Sequence, residues 1–563
     1  MVSEEVKRLI KRCALENAVQ HNGRALTKCV VGRLIGLMPE LKQHIKEILR
    51  VVEKTVNEVN KLSIEEQRER LKGFAAPESE KTETRAEERT LKPLPNAVKG
   101  GVKLRFAPNP DGALTLGNAR PAVLCDEYAK LYDGEFVLRF DDTDPKIKVP
   151  EKRFYKWVVE DLKWLGVKID KIVYASKRLK IYYEYAERLI RSGFAYVCTC
   201  NALEWRKLRD AHEACPCRGL SIEEQLERWD RMLKEAYHEG EAVLRIKTDL
   251  AHENPSVRDF AAMRIVDEPA HPLVRNKHVW PLYNFASAID DYLLNITHVL
   301  RGQEHALNTV KQRFIYDYLG WKYPEVIILG RFSLVGMVLS KSRIRAGIEK
   351  GEFEGWDDVK LGTLRALRRR GYAPEALRKL IIDMGVTSSD ATIAEENLAA
   401  YNRKIVDAKA NRYFFVGNPV KIYVEGLDKR EVRVPLHPDD EKRGYRTLHL
   451  HGNSRCALLI EKRDYERLKN REVRLKHLCN VVLERRASVT GSEVKKGIPI
   501  IHWVPLSEKI RVDLLTPNSV IRGYGEINLM NEAPGSVVQF ERVGFARIEK
   551  VGKKKLSAVF AHR

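Results

Sequence analysis

No stretch of the chain is apolar for anything near the roughly 18 residues of a membrane span, so no membrane partner is expected. The opening, MVSEEVKRLIKRCALENAV, carries both signs of charge and no apolar stretch, which argues against a secretory signal. Cysteine is sparse: nine in 563 residues, an odd number, with four crowded into Cys198–Cys217. That is not a disulfide framework. It suits a reducing compartment, so a cytoplasmic location is expected. Acidic residues are in deficit too. Lys and Arg number 100 against 78 Asp and Glu, a formal charge of +22. Such an excess points to a polyanionic partner, although a basic surface without a specific ligand would look the same.

What is present is length for several domains and a hydrophobic content of 44%, as globular chains have. Residues 1–73 read as helical. Leu41, Ile45, Ile48, Leu49, Val52, Val56 and Val59 form one apolar stripe there. Residues 74–98 read as a charged, proline-spiked linker. From 99 to 197, strands alternate with helices, the pattern of a doubly wound parallel sheet, with Ala195–Thr199 as a further strand. Residues 198–275 interrupt the sheet, and 276–350 resume it. Residues 351–404 are helical and basic. From 405 to 563 short β-rich runs separated by turns predict an all-β region.

The stretch that organises the chain is Val102–Arg120, VKLRFAPNPDGALTLGNAR. Val102, Leu104 and Phe106 alternate with Lys103 and Arg105, which predicts a strand. Asn-Pro and Asp-Gly make a turn, and a helix is expected from about Asn118. A glycine turn feeding a helix N-terminus is a natural seat for phosphate. The run P-N-P-D-G-A-L-T-L-G-N-A-R resembles the first signature of class I aminoacyl-tRNA synthetases, specifically the glutamyl/glutaminyl branch in its archaeal type. Val338-Leu339-Ser340-Lys341-Ser342 resembles the second. Thr115 and Asn118 stand where the family usually has histidines, and both can still offer neutral hydrogen bonds to phosphate.

The resemblance implies a Rossmann-type catalytic domain with an inserted acceptor-end domain, a helical connector and C-terminal β-barrels that bind the anticodon. It implies ATP with Mg²⁺, L-glutamate and tRNA-Glu as reactants, with tRNA-Gln left open. It assigns catalysis to Lys341, Thr115 and Asn118. ATP would be met by Pro108, Gly117, Gly302, Glu304, Leu339, Ser340 and Lys341. The amino acid would be met by Arg105, Asn109, Asp141, Tyr283 and Arg301. That set is coherent, because a dianionic amino acid brings two carboxylates and one ammonium, met by arginines and an aspartate. Arg301 could instead pair with Asp290 or Asp291 and merely hold the fold. A glutaminyl enzyme and a catalytically silent tRNA-binding paralogue stay open as alternatives.

Cys198, Cys200, Cys215 and Cys217 make C-x-C-x14-C-x-C. Four thiolates suit a closed, tetrahedral, structural zinc site, with His212 a spare candidate. Metal-free thiols and a disulfide are the competing readings. Related synthetases carry a zinc knuckle at the base of the acceptor-end insertion, which favours zinc.

Overall fold

The structure, a computed structural model, describes residues 4–20, 23–37, 45–72, 91–428, 430–452 and 455–563. The chain divides into two compact units, one up to Arg89 and one from Thr90. In the first, helices α1 (Glu4–Gln20), α2 (Thr27–Leu37), α3 (Ile45–Val59) and α4 (Ile64–Lys72) enclose their own core, with Ile10, Leu15, Val30 and Val52 at its centre. On α3, Ile48, Val52, Val56 and Val59 are buried together, one face of a 3.6-residue repeat. Leu41 of the expected stripe, residue 73, and residues 74–90 of the expected linker lie outside the described residues.

The end of that linker is pinned, contrary to expectation. Leu94 is buried, and its N–H donates to Tyr132 Oη at 3.0 Å. The Pro95 carbonyl lies 2.8 Å from His298 Nε2, and Asn96 Nδ2 donates to Glu325 Oε1 at 2.8 Å. One apolar side chain, one polar side chain and two backbone groups suffice to anchor a segment whose composition reads as open.

The second unit begins with β1 (Lys103–Phe106), α5 (Leu116–Leu131), β2 (Glu135–Phe140), α6 (Lys152–Trp164), β3 (Lys171–Tyr174) and α7 (Leu179–Arg191). An insertion follows, with β4 (Ala195–Cys198), α8 (Ala202–Asp210), α9 (Ile222–Leu233), β5 (Val243–Ile246), β6 (Ala261–Ile265) and β7 (Val279–Pro281). Then come α10 (Tyr283–Leu293), β8 (His298–Gly302), α11 (Ala306–Leu319) and β9 (Glu325–Leu329). The order β3-β2-β1-β8-β9 is parallel throughout, a doubly wound sheet.

Alternation divides the two faces of that sheet. Leu104, Phe106, Leu138, Phe140 and Leu300 share a core with Val123 and Leu124 of α5. The opposite face presents Arg105, Arg139 and Arg301 from three neighbouring strands, since Arg105 stands opposite Val137, two residues before Arg139. Among the residues that α10 sets against that face are Ser287, Asp290 and Asp291, which the i, i+3, i+4 spacing puts on one side of the helix.

The run at Ala195 does form a strand, but β4 pairs antiparallel with β5 in a separate sheet ordered β4-β5-β6-β7. A short, fully buried apolar run specifies a strand and not its partner, so the expectation that it extends the parallel sheet is corrected. The cysteines after Val197 therefore do not lie at the rim that holds the two signatures.

After α12 (Lys341–Glu349), helices at Leu364–Arg370, Pro374–Met384 and Glu395–Val406 form the connector. The C-terminal region builds two seven-stranded sheets. One has Asn411–Tyr413 at one edge and Phe415–Gly417 at the other, consecutive pieces of one strand, so the sheet closes on itself. The second closes in the same way through Ile500–Ile501 and Val504–Pro505. Closure removes the exposed edges that a run of short strands would otherwise leave.

Candidate active site

The two signatures meet at the carboxyl ends of β1 and β8. Gly112 sits in the turn because a Cβ there would lie 2.4 Å from the Trp356 ring. The Pro108 carbonyl accepts from the Asp141 N–H at 3.1 Å, tying the turn to the end of β2. Lys341, first residue of α12, reaches back across the rim. Its Nζ donates to the Asn109 carbonyl at 3.0 Å and to Asp111 Oδ1 at 3.2 Å. Burial lowers its pKa, against the pull of Asp111. Asn109 gives its Nδ2 to the Lys148 carbonyl at 3.3 Å, while its buried Oδ1 has no partner.

Residues 361–363 stitch the signatures together. Leu116 N–H donates to the Gly362 carbonyl at 2.9 Å, and Gly362 N–H donates to the Val338 carbonyl at 3.0 Å. A Cβ on Gly362 would lie 2.4 Å from Leu339 Cδ2, so any side chain there would have to push the leucine's methyl aside. Ser340 caps α12, its Oγ accepting from the Arg343 N–H.

Thr115 and Asn118 form a capping box at the start of α5, each side chain accepting from the other's backbone N–H. Thr115 is 2% exposed. The acceptor atoms of both are thus spent on the helix, and Asn118 Nδ2 is the donor left over. The helix begins at Leu116, two residues earlier than expected, because Thr115 is its cap. Gly117 is not required by packing, since a Cβ there would meet nothing closer than Thr115 Oγ1 at 3.7 Å.

The charged face of the sheet is a network. Arg105 grips Asp291 with two bonds, Nε to Oδ1 at 3.1 Å and Nη2 to Oδ2 at 3.2 Å. Arg139 donates to Asp291 Oδ1 at 2.6 Å, to Asp141 Oδ1 at 2.8 Å and to Ser287 Oγ at 2.9 Å. Asp290 takes Arg178 Nε and Tyr182 Oη, each at 2.7 Å. Burial would raise Asp291, but Arg105 and Arg139 outweigh it and hold its carboxyl below the ordinary range. For Asp141 burial wins over Arg139 and the pKa rises; its Oδ2 is buried and unpartnered.

Arg301 differs from the other arginines. It is 4% exposed, yet its hydrogen bonds go to neutral groups: Nη1 to Thr309 Oγ1 at 3.2 Å and Nη2 to Gln312 Oε1 at 3.1 Å. Its Nε has no partner. Among the described residues no carboxylate forms an ion pair with it, since Asp290 and Asp291 are taken by other cations. Tyr283 opens α10, half-buried, its ring 5.9 Å from that of His305. Gly302 follows Arg301 at the rim, and Glu304 is exposed beyond it.

In the insertion, the Sγ atoms of Cys198, Cys200, Cys215 and Cys217 all lie within 4.8 Å of one another. Cys198 and Cys215 are 3.8 Å apart, Cys200 and Cys217 3.6 Å. Tetrahedral Zn–S bonds of about 2.3 Å require S···S separations of roughly 3.8 Å, so the donor set fits zinc. Hydrogen bonds from Cys198 and Cys215, with the Thr199 N–H, hold Cys217 below the ordinary thiol range. Arg228 Nη1 approaches the same sulfur at 3.2 Å. Among the described residues none of the nine cysteines is in a disulfide, and His212 is not part of the cluster.

Sequence reasoning missed Arg139, Gln312 and Asp111, and took Asp291 only as an alternative partner of Arg301. Arg139 and Asp291 had a signal, a charged residue at an inward position of a strand or helix otherwise apolar. Gln312 had none.

The pattern of the family described as tRNA synthetases class I (E and Q), catalytic domain, matches residues 101–408. Two patterns for the anti-codon binding domain of the same family match 410–498 and 500–549. The chain is 52% identical to the glutamate–tRNA ligase of Pyrococcus furiosus, over 99% of this chain and 100% of that one. It is 50% identical to that of Thermococcus kodakarensis and 45% to that of Methanopyrus kandleri, with 100% of both chains covered in each case.

Proposed function

The chain belongs to the class I tRNA synthetases for glutamate and glutamine, and on that premise we propose how its site performs the glutamate–tRNA ligase reaction. The α-carboxylate of glutamate attacks the α-phosphate of ATP, and pyrophosphate leaves. The acyl group then passes from the adenylate to a ribose hydroxyl at the 3′ end of tRNA. Neither step needs a protein nucleophile; the protein positions reactants and offsets developing phosphate charge.

Each residue of the rim has a part in this. Lys341 leaves Asp111 for the phosphates, where its charge counts most in the transition state. ATP, carried with Mg²⁺, approaches the backbone at Gly117, where no side chain stands in the way, and meets Pro108, Gly302, Glu304, Leu339 and Ser340 around the rim. Asn118 Nδ2 donates to a phosphate oxygen, and Thr115 supports it by capping. The unpartnered Asp141 Oδ2 receives the substrate ammonium, and Arg105, Asn109 and Tyr283 line the pocket. Arg301 receives the side-chain carboxylate bidentately.

The observation that carries this reading is the charge balance beside α10. Arg105, Arg139, Arg178 and Arg301 face Asp141, Asp290 and Asp291. One buried guanidinium is left over, and glutamate is the amino acid of this pair that brings one net negative charge. The insertion, 198–275, holds the acceptor end and carries zinc on its four cysteines as a structural ion. The β-barrels, 405–563, read the anticodon by stacking and base-edge contacts. The acceptor proposed is tRNA-Glu. Charging pure transcripts with labelled glutamate tests this: tRNA-Glu should be acylated, and the same assay on tRNA-Gln decides whether the barrels admit it. Failure to acylate either transcript would refute the proposal.

A further inference from the structure

We propose that Gln312 is a positioning residue that sets the preference for glutamate over glutamine, because it orients Arg301 without neutralising it. The inference rests on the reading of Arg301 as partner of the substrate's side-chain carboxylate.

Every other arginine of the network is fixed by a carboxylate, which orients the guanidinium and cancels its charge together. Arg301 is fixed by Thr309 and Gln312, an i, i+3 pair on one face of α11. Gln312 is 1% exposed, and its Oε1 also accepts from Tyr323 Oη at 2.8 Å. An arginine and a tyrosine hydroxyl, both donating, fix which end of the amide faces the site. The guanidinium is thus held by dipoles while its charge stays available.

This arrangement has a cost. Gln312 Nε2 is buried without a partner, as is Arg301 Nε. Buried unpaired donors destabilise a fold, and a side chain serving packing alone would carry neither. A glutamate at 312 is the same shape and would orient Arg301 at least as well. It would also supply the negative charge that the substrate is meant to bring.

The test is Gln312→Glu in the full chain, assayed by ATP–pyrophosphate exchange with tRNA-Glu present and with glutamate or glutamine as substrate. The expected result is a KM for glutamate raised by about tenfold or more with a smaller change in kcat, as for competition with a buried charge pair. The glutamate-to-glutamine ratio of kcat/KM should fall with it, and the melting temperature should hold or rise. Gln312→Met should lower the same ratio less, by losing orientation but not charge. Tyr323→Phe, which frees the Gln312 amide to rotate and removes the hydroxyl's contact with Thr309, gives the readout if neither variant folds, and should also lower the ratio. Unchanged ratios in folded Gln312→Glu and Tyr323→Phe overturn the inference. Arg301→Ala separates this from failure of the underlying reading: if it too leaves the ratio unchanged, Arg301 does not meet the side chain at all.

Discussion

Replacing Arg301 by alanine is the sharpest perturbation of the proposed site. Thr309 and Gln312 occupy one N–H on each Nη, which leaves the Nε–H and the second N–H of each Nη for a ligand. A glutamate side chain offers two oxygens to those donors. Glutamine offers one oxygen and an amide NH₂, so donor faces donor. Removing one partner of a desolvated charge pair costs on the order of 2–5 kcal/mol. At ~1.4 kcal/mol per decade, kcat/KM for glutamate should fall roughly 30- to several-thousand-fold. Glutamine should lose much less, so the preference narrows. The fold should lose little, because Gln312 Oε1 keeps its bond from Tyr323 and the variant removes a buried cation that no carboxylate pairs with directly among the described residues, Asp291 feeling its charge only behind Arg105 and Arg139. ATP–pyrophosphate exchange with tRNA present, beside a thermal melt, measures both. A melting temperature that drops sharply while the glutamate-to-glutamine ratio stays fixed would refute the reasoning and make Arg301 structural.

Lys341→Ala should slow adenylate formation far more than it weakens tRNA binding; exchange that survives while tRNA affinity drops would assign Lys341 to the tRNA surface instead. Elemental analysis should find one zinc per chain, and Cys217→Ser should lower both zinc content and melting temperature; a metal-free, fully active preparation would contradict the four-thiolate site. Asp161 of α6 is buried, and that burial, only partly offset by Arg365, raises its carboxyl to about 7. A raised acid is easier to bury protonated, so its ionisation costs the fold stability as pH climbs from about 4 to about 7, on the order of 1.4 kcal/mol per unit. Asp161→Asn should therefore raise the melting temperature most at pH 8, by less at pH 5, and leave it nearly unchanged at about pH 3, below both pKa values; destabilisation at pH 8 would mean that the pair with Arg365 outweighs burial.

Much of the parallel sheet and both signatures could be read from the sequence, because alternation and turn chemistry are local. The strand at Ala195 shows the limit. Its pattern is that of any buried strand, and only the pairing of Ala195 with Ile246 assigns it to the insertion. Arg301 stands out in sequence as an arginine in an apolar strand, but its freedom from Asp290 and Asp291 does not. That depends on Arg105, Arg139 and Arg178 arriving from other strands and loops to occupy both carboxylates. The resemblance implies that Thr115 and Asn118 meet phosphate, yet three-residue spacing at a helix start also satisfies a capping box, and the helix takes their acceptors. The capping frequencies of threonine and asparagine could have given that signal. Gln312 had no such signal, since a glutamine on an amphipathic helix is ordinarily solvated.

In the proposed site, the buried Arg301, without a carboxylate paired to it among the described residues, selects glutamate. The direct measurement is ATP–pyrophosphate exchange by the unaltered chain, with tRNA-Glu present, over a series of glutamate and glutamine concentrations. Exchange should be driven by glutamate, with kcat/KM for glutamine lower by on the order of 100-fold or more, as for a site built around a charged partner. Equal exchange with the two amino acids, or none with glutamate, would contradict it.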